Sequence, residues 1–282
     1  MTEDLAHPTD AVASYLTGQI HPSQTALLAA YAVESAATIE ALRPALDLRY
    51  GPHPRELFDT YEAAGPSQGL LVYYHGGYWQ ARGKEQFRFL ASAFLAQGID
   101  VAFVNYPLCP DVPLRTLVEA ARTSIPAIYA RMRDRGSRPM VVAGHSAGAH
   151  LAVELALTDW SSYGLTPQPI AGVLPISGVY ELSPLLGTPL NDKLRLNPEE
   201  AKAMSPLRRA SGPLPPAAFI VGSLETPAFH AQSEQMHEAW LAAGGTSQIV
   251  VAPGADHYSM LRQLAPGHAA FEVALGLFAA PV

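Results

Sequence analysis

The sequence predicts a single α/β domain, residues 1–282, with a mostly parallel central sheet flanked by helices. Two observations lead there. Short unbroken apolar runs (GLLVYYH, DVAFVNY, PMVVAGHS, IAGVLPISGVY, AAFIVGS and SQIVVAPG) alternate with helix-patterned stretches. Runs of that kind mark parallel strands buried on both faces, and parallel neighbours need crossover helices between them. The composition agrees: 49% of the 282 residues are hydrophobic and 15% are charged, enough apolar material for one large core.

The elements follow in chain order. Residues 1–45 read as an N-terminal helical segment, because TALLAAYAVESAATIEAL is rich in Ala and has no β-branched run. LDLRYG and RELFDTYEA read as paired strands joined through Gly51-Pro52. GLLVYYH is the next strand, and EQFRFLASAFLAQG reads as one amphipathic helix stopped by Gly98. After DVAFVNY comes the long helix LRTLVEAARTSIPAIYARMR, with a kink predicted at Pro126. PMVVAGHS leads into the helix AGAHLAVELALTD. Beyond IAGVLPISGVY, the Pro-rich stretch 181–216 breaks the rhythm, and two readings stay open: a lid over the site, or a surface crossover with a helix of its own. AAFIVGS and SQIVVAPG are the last strands, with PAFHAQSEQMHEAWLAAGG as the helix between them and HAAFEVALGLFAA as the closing helix.

Charge and cysteine content exclude several classes. The net charge is −7, and the densest basic run, RMRDRGSR, has no wider basic field around it, so no nucleic-acid partner is expected. One cysteine, Cys109, permits no internal disulfide and reads as a small buried hydrophobe. The acidic start MTEDLAHPTD lacks the basic-then-apolar layout of a signal peptide. No uninterrupted apolar stretch approaches the roughly 20 residues of a membrane span. The expectation is a soluble cytoplasmic protein with no membrane partner; a homodimer is left open.

The chemistry concentrates in VVAGHSAGAH. Gly144-His145-Ser146-Ala147-Gly148 fits G-x-S-x-G between a strand run and a helical pattern, the context of a nucleophile elbow. A serine hydroxyl needs a base, and the base needs an orienting carboxylate. In chain order these come later, at strand C-terminal ends. His257 follows SQIVVAPG and is the candidate base; His268 lies too far along. Glu225 follows AAFIVGS and is the candidate acid, with Asp256, beside His257, as runner-up. The oxyanion of an acyl-transfer intermediate needs preorganised N–H donors. Ala147 supplies one, and Gly76-Gly77, at the end of GLLVYYH, supply the other. His75 is read as a brace of that loop. Tyr78 and Trp79, next in the chain, either wall an aromatic substrate or anchor the loop in the core. No HExxH or Cys/His ligand spacing occurs, so no metal is expected. The dinucleotide fingerprint is missing and the only Gly-Lys pair lacks a P-loop context, so no cofactor is expected either.

Taken together, HGGYW, NYPLCP, GHSAGAHL, GVYELSPLLGTPLND and GADHYSML resemble the kynurenine formamidase (arylformamidase) branch of the α/β-hydrolases, near the hormone-sensitive-lipase-like esterases. The resemblance spans about Tyr50 to His257. It implies Ser146 as nucleophile, His257 as base, and Gly76, Gly77 and Ala147 as the oxyanion frame. Glu225 stands where many relatives carry Asp. The activity it implies is cleavage of a small acyl substrate, the formamide of N-formylkynurenine or an ester. A non-catalytic binding module on the same fold is the rival; it would have lost Ser, His or the glycines, and all are present here.

Overall fold

The computed structural model describes residues 10–136, 138–166 and 168–279; the expectations for residues 1–9 and for the end of the closing helix at 280 lie outside them. Eight strands form one sheet in the order β1-β2-β4-β3-β5-β6-β7-β8. They are β1 Ala45–Arg49, β2 Leu57–Tyr61, β3 Gly69–Tyr74, β4 Ile99–Val104, β5 Met140–His145, β6 Gly172–Ile176, β7 Ala217–Gly222 and β8 Ser247–Ala252. β2 runs antiparallel to β1 and β4, and every pair from β4 across to β8 is parallel. Every residue of β3 to β7 is buried, the continuous apolar pattern that parallel strands produce. Successive side chains divide between two cores. Leu70, Val72 and Tyr74 face one, Leu71 and Tyr73 the other.

The helices are α1 Ala11–Tyr15, α2 Gln24–Leu42, α3 Ala91–Leu95, α4 Leu114–Met132, α5 Ala147–Ala156, α6 Asn191–Leu194, α7 Pro198–Ala203, α8 Pro227–Ala242 and α9 Ala269–Gly276. One expectation needs correction. EQFRFLASAFLAQG is not one helix: Lys84–Gln86 and Arg88–Leu90 are 3₁₀ turns, and only α3 is α-helical. Tertiary ion pairing overrides the local pattern here. Lys84 Nζ lies 2.8 Å and Arg88 Nη2 2.7 Å from the fully buried Asp59, while the Lys84 N–H donates to Asn105 Oδ1 at 2.7 Å. Pro126 sits inside α4, which continues through it to Met132. α2 is the one helix among the described residues long and apolar enough, by length and composition, to cross a membrane. Here it lies on the body of the protein, with Tyr31 stacked on Phe89 at 4.3 Å and Glu34 paired with Arg262.

Residues 181–216 fold into α6, α7 and flanking 3₁₀ turns, with Leu185, Leu194, Leu196 and Ala201 buried. The segment is tied down by Arg208 to Glu181 at 2.6 Å and by Arg209 to the buried Glu154 of α5. The stretch has helices of its own, and one edge of it, Leu190 and Lys193, reaches the cavity described next.

Candidate active site

The site forms where β3, β5, β7 and β8 end. Between β5 and α5 the chain turns so sharply that Ser146 adopts φ 57°, ψ −119°. The flanking glycines allow this. A Cβ on Gly144 would stand 2.1 Å from the Gly148 carbonyl oxygen, and one on Gly148 would stand 2.0 Å from that of Tyr74. No other residue fits at either position, and the turn lifts Ser146 to the N-terminus of α5. The Ser146 N–H is fixed by the Ile176 carbonyl at 2.8 Å.

β8 delivers His257 and β7 delivers Glu225, joined by a 2.7 Å hydrogen bond from Nδ1 to Oε2. Both are buried. The second carboxylate oxygen of Glu225 accepts from the Ser177 hydroxyl at 2.5 Å and the Gly222 N–H at 2.8 Å. Asp256 points elsewhere: its Oδ1 accepts the N–H groups of Tyr258 and Ser259 at 2.8 and 2.9 Å. Of the two acids singled out in the sequence, the structure brings Glu225 to His257 and uses Asp256 as a turn cap.

Gly76, Gly77, Ser146 and His257 all line one cavity of about 400 Å³. The loop after β3 is folded tightly, with positive φ at Gly77 (117°), Tyr78 (49°) and Trp79 (58°) in succession. Among the described residues, the N–H groups of Gly76, Gly77 and Ala147 donate to no backbone carbonyl. His75 braces this loop, as the sequence suggested. Its Nδ1–H donates to the Gly76 carbonyl at 2.7 Å, and its ring stacks on Tyr106 at 4.3 Å. Complete burial pushes its pKa down to about 3, so it stays neutral and serves no base function.

The two aromatics after the glycines separate. Tyr78 lines the cavity, and its hydroxyl donates to the Tyr15 carbonyl. Trp79 does not face a substrate. It is fully buried, packed edge-on against His150 at 5.0 Å, and its carbonyl accepts the Cys109 N–H. Its indole fills the core beneath the loop, which corrects the wall reading for this residue. Cys109 is buried, as expected.

Several contributors were given no role by the sequence. His145 Nε2–H donates to the His257 carbonyl at 2.7 Å and so holds the backbone of the candidate base; burial keeps it neutral. Ser177, with φ 50°, is an ordinary Ser-Gly after a strand until the fold puts it against Glu225. Arg55 ties the glycine loop to β2 through the carbonyls of Tyr106 and Arg82 at 2.9 and 2.8 Å. The only available signal for Ser177 was its place at a strand's C-terminal end, where site residues of such sheets collect. Among the described residues there is no metal-binding cluster of His, Cys, Asp or Glu.

Comparison with known proteins places this architecture. A family profile described as alpha/beta hydrolase fold matches residues 71–261. Kynurenine formamidase of Danio rerio is 32% identical over 226 residues, 78% of this chain and 76% of that protein. The Salmo salar kynurenine formamidase is 32% identical over 230 residues, 79% and 77% of the two chains. Among solved structures, a putative thioesterase from Silicibacter sp. TM1040 superposes with a TM-score of 0.80 at 29% identity, covering 94% of this chain and 97% of that one. Esterase B from Lactobacillus rhamnosis shares the fold at a TM-score of 0.69 and 19% identity, over 92% and 95%. The chain is a hydrolase of the α/β-hydrolase family and belongs to the branch that holds the kynurenine formamidases.

Proposed function

We propose that this hydrolase is a serine enzyme that cleaves a small aryl formamide, of the N-formylkynurenine type, through a formyl-enzyme. The observation that carries the reading is the shared cavity: it is lined by a strained Ser146, by His257 held from behind by Glu225 at 2.7 Å, and by glycines whose N–H groups have no backbone acceptor among the described residues. The likeness to kynurenine formamidases supports the substrate class.

In the first step the Ser146 oxygen bonds to the formyl carbon as its proton passes to His257 Nε2. The N–H groups of Gly77 and Ala147 hold the oxyanion. Collapse breaks the C–N bond, and the proton on His257 goes to the departing aryl amine. Water then loses a proton to His257, attacks the formyl ester, and releases formate and free Ser146. Glu225 keeps Nδ1 protonated throughout and stabilises the imidazolium. Esters are the second reading, favoured by the apolar Leu28, Leu190 and Leu261 around the cavity.

Two measurements test this. A fluorophosphonate should label Ser146 in the folded protein and leave Ser146→Ala unlabelled; an unlabelled wild type refutes the nucleophile. The ratio of kcat/KM for N-formylkynurenine to that for p-nitrophenyl acetate and butyrate tests the substrate. Preference for butyrate overturns the formamidase assignment and leaves an esterase.

A further inference from the structure

The cavity's charge is out of keeping with the chain's. The protein carries a net charge of −7, yet among the described residues no Asp or Glu lines the cavity, while Arg82 and Lys193 do. Neither cation has a carboxylate partner within 4.0 Å among the described residues. Arg88, Arg122, Arg135, Arg208, Arg209 and Arg262, by contrast, pair with acids.

Arg82 is also held in place. It adopts φ 74°, a conformation unfavourable for a side-chain-bearing residue, and Arg55 Nη2 donates to its carbonyl at 2.8 Å. Its stem crosses the glycine loop, with Cγ 3.2 Å from where a Cβ on Gly77 would lie. Its guanidinium carbon lies 5.7 Å from the ring centroid of Tyr258, the residue after His257. Half-buried Arg82, without a carboxylate partner among the described residues, thus lies beside the glycine loop and Tyr258, in the lining of the cavity that holds Ser146. Lys193 enters from α6 and is exposed.

We infer that Arg82 is a specificity-determining residue: it binds a carboxylate carried by the substrate, and Lys193 adds a weaker attraction at the mouth. A guanidinium fork matches a planar carboxylate with two parallel hydrogen bonds, and it gains most where water is partly excluded. The inference rests on the acyl-hydrolase reading above. With formyl as the acyl group, no atom on that side can bear a charge, so the carboxylate belongs to the leaving group.

The test uses matched pairs: N-formylkynurenine with its carboxamide, and 4-acetoxybenzoate with 4-acetoxybenzamide, each corrected for its rate of hydrolysis by hydroxide. The wild type is expected to favour the carboxylate of each pair on the order of 10–100-fold in kcat/KM, mostly through KM. Arg82→Gln should reduce that ratio to within about threefold of one, and Arg82→Lys should keep part of it. Lys193→Gln should lower it only slightly, and added salt should compress it. A wild-type ratio near or below one, or a ratio unchanged in Arg82→Gln, overturns the inference. If formamides are not turned over while the acetoxybenzoate pair keeps the preference, the formamidase reading fails and this one stands. Calorimetry of the four compounds on Ser146→Ala decides the matter without turnover: absent binding, or equal affinity within each pair, overturns it.

Discussion

Replacing Gly77 by Ala separates an oxyanion role from a packing role. The added Cβ would stand 2.3 Å from the Ala81 carbonyl oxygen and 3.0 Å from its carbon, where ordinary contact begins at 3.4 Å. The shortfall is about 1 Å, against backbone rather than a flexible side chain. φ at this residue is 117°, so the alanine is also strained whatever the space. The loop must therefore move by about 1 Å, which carries its N–H out of donor range. Losing one such donor costs on the order of 10²–10³ in kcat, and a misplacement of that size alone can cost about 10²-fold. Gly65→Ala is the control: it has φ 75° but nothing within 4 Å of its new Cβ, so it bears strain of roughly 1–2 kcal/mol without the clash. The assay is active-site titration with a fluorophosphonate, followed by kcat on p-nitrophenyl acetate for the titrated fraction and unfolding in urea. Gly77→Ala should stay folded, lose at least 10²-fold in kcat per active site, and leave Gly65→Ala at wild-type rate. A folded Gly77→Ala within about threefold of wild type refutes the oxyanion assignment of this loop.

Three further outcomes follow from the geometry. Glu225→Gln should cost on the order of 10²–10⁴ in kcat by removing the partner of His257 Nδ1, whereas Asp256→Asn should leave kcat within about fivefold; the reverse, measured by steady-state kinetics, moves the acid to Asp256. Ser177→Ala removes the 2.5 Å donor to Glu225 and should lower kcat about 5–30-fold with little change in KM, a split that loss of folding would not give. Stability should fall as pH drops. His75 and His150 are held neutral by burial, with pKa pushed down to about 3 and about 4, and His145 is also lowered. Between pH 6.5 and about 4 the unfolded chain binds protons that the folded one refuses, so stability is full above 6.5 and is lost below it, at about 1.4 kcal/mol per pH unit for each histidine. Urea unfolding at pH 7, 6 and 5 reads the slope, and His150→Gln should reduce it by about one proton; an unchanged slope would show that His150 takes up its proton in the fold as it does in the unfolded chain, and refute its burial as a neutral group.

The sheet was legible because parallel strands leave a one-dimensional trace: β3 to β7 are buried on both faces, so their runs are apolar without alternation. The elbow was legible for a similar reason, since the space at Gly144 and Gly148 admits no side chain and the motif must appear in the letters. What stayed hidden depends on contacts distant in sequence. Ser177 meets Glu225 across 48 positions, and nothing local marks it. The broken helix after Gly83 was hidden because Lys84 and Arg88 point inward to Asp59, where a helical reading puts such residues in solvent. Tyr78 and Trp79 are neighbours in one strained loop, and successive positive φ values send one to the cavity and the other to the core, a divergence that residue type cannot reveal.

β3 and β5 are adjacent, with Tyr74 opposite Gly144 in the ladder. Ser146 and the glycine loop therefore hang from one hydrogen-bonded rung, while Glu225 and His257 hang from another, since Gly222 pairs with Ala252. Each half is a rigid cassette. Changes in the stretch 181–216, between β6 and β7, that keep Arg209 on Glu154 and the Met204 carbonyl on His150 leave both cassettes whole and alter what surrounds them. Substrate range can then drift, by recombination or in a laboratory library, without the reacting atoms having to be rebuilt.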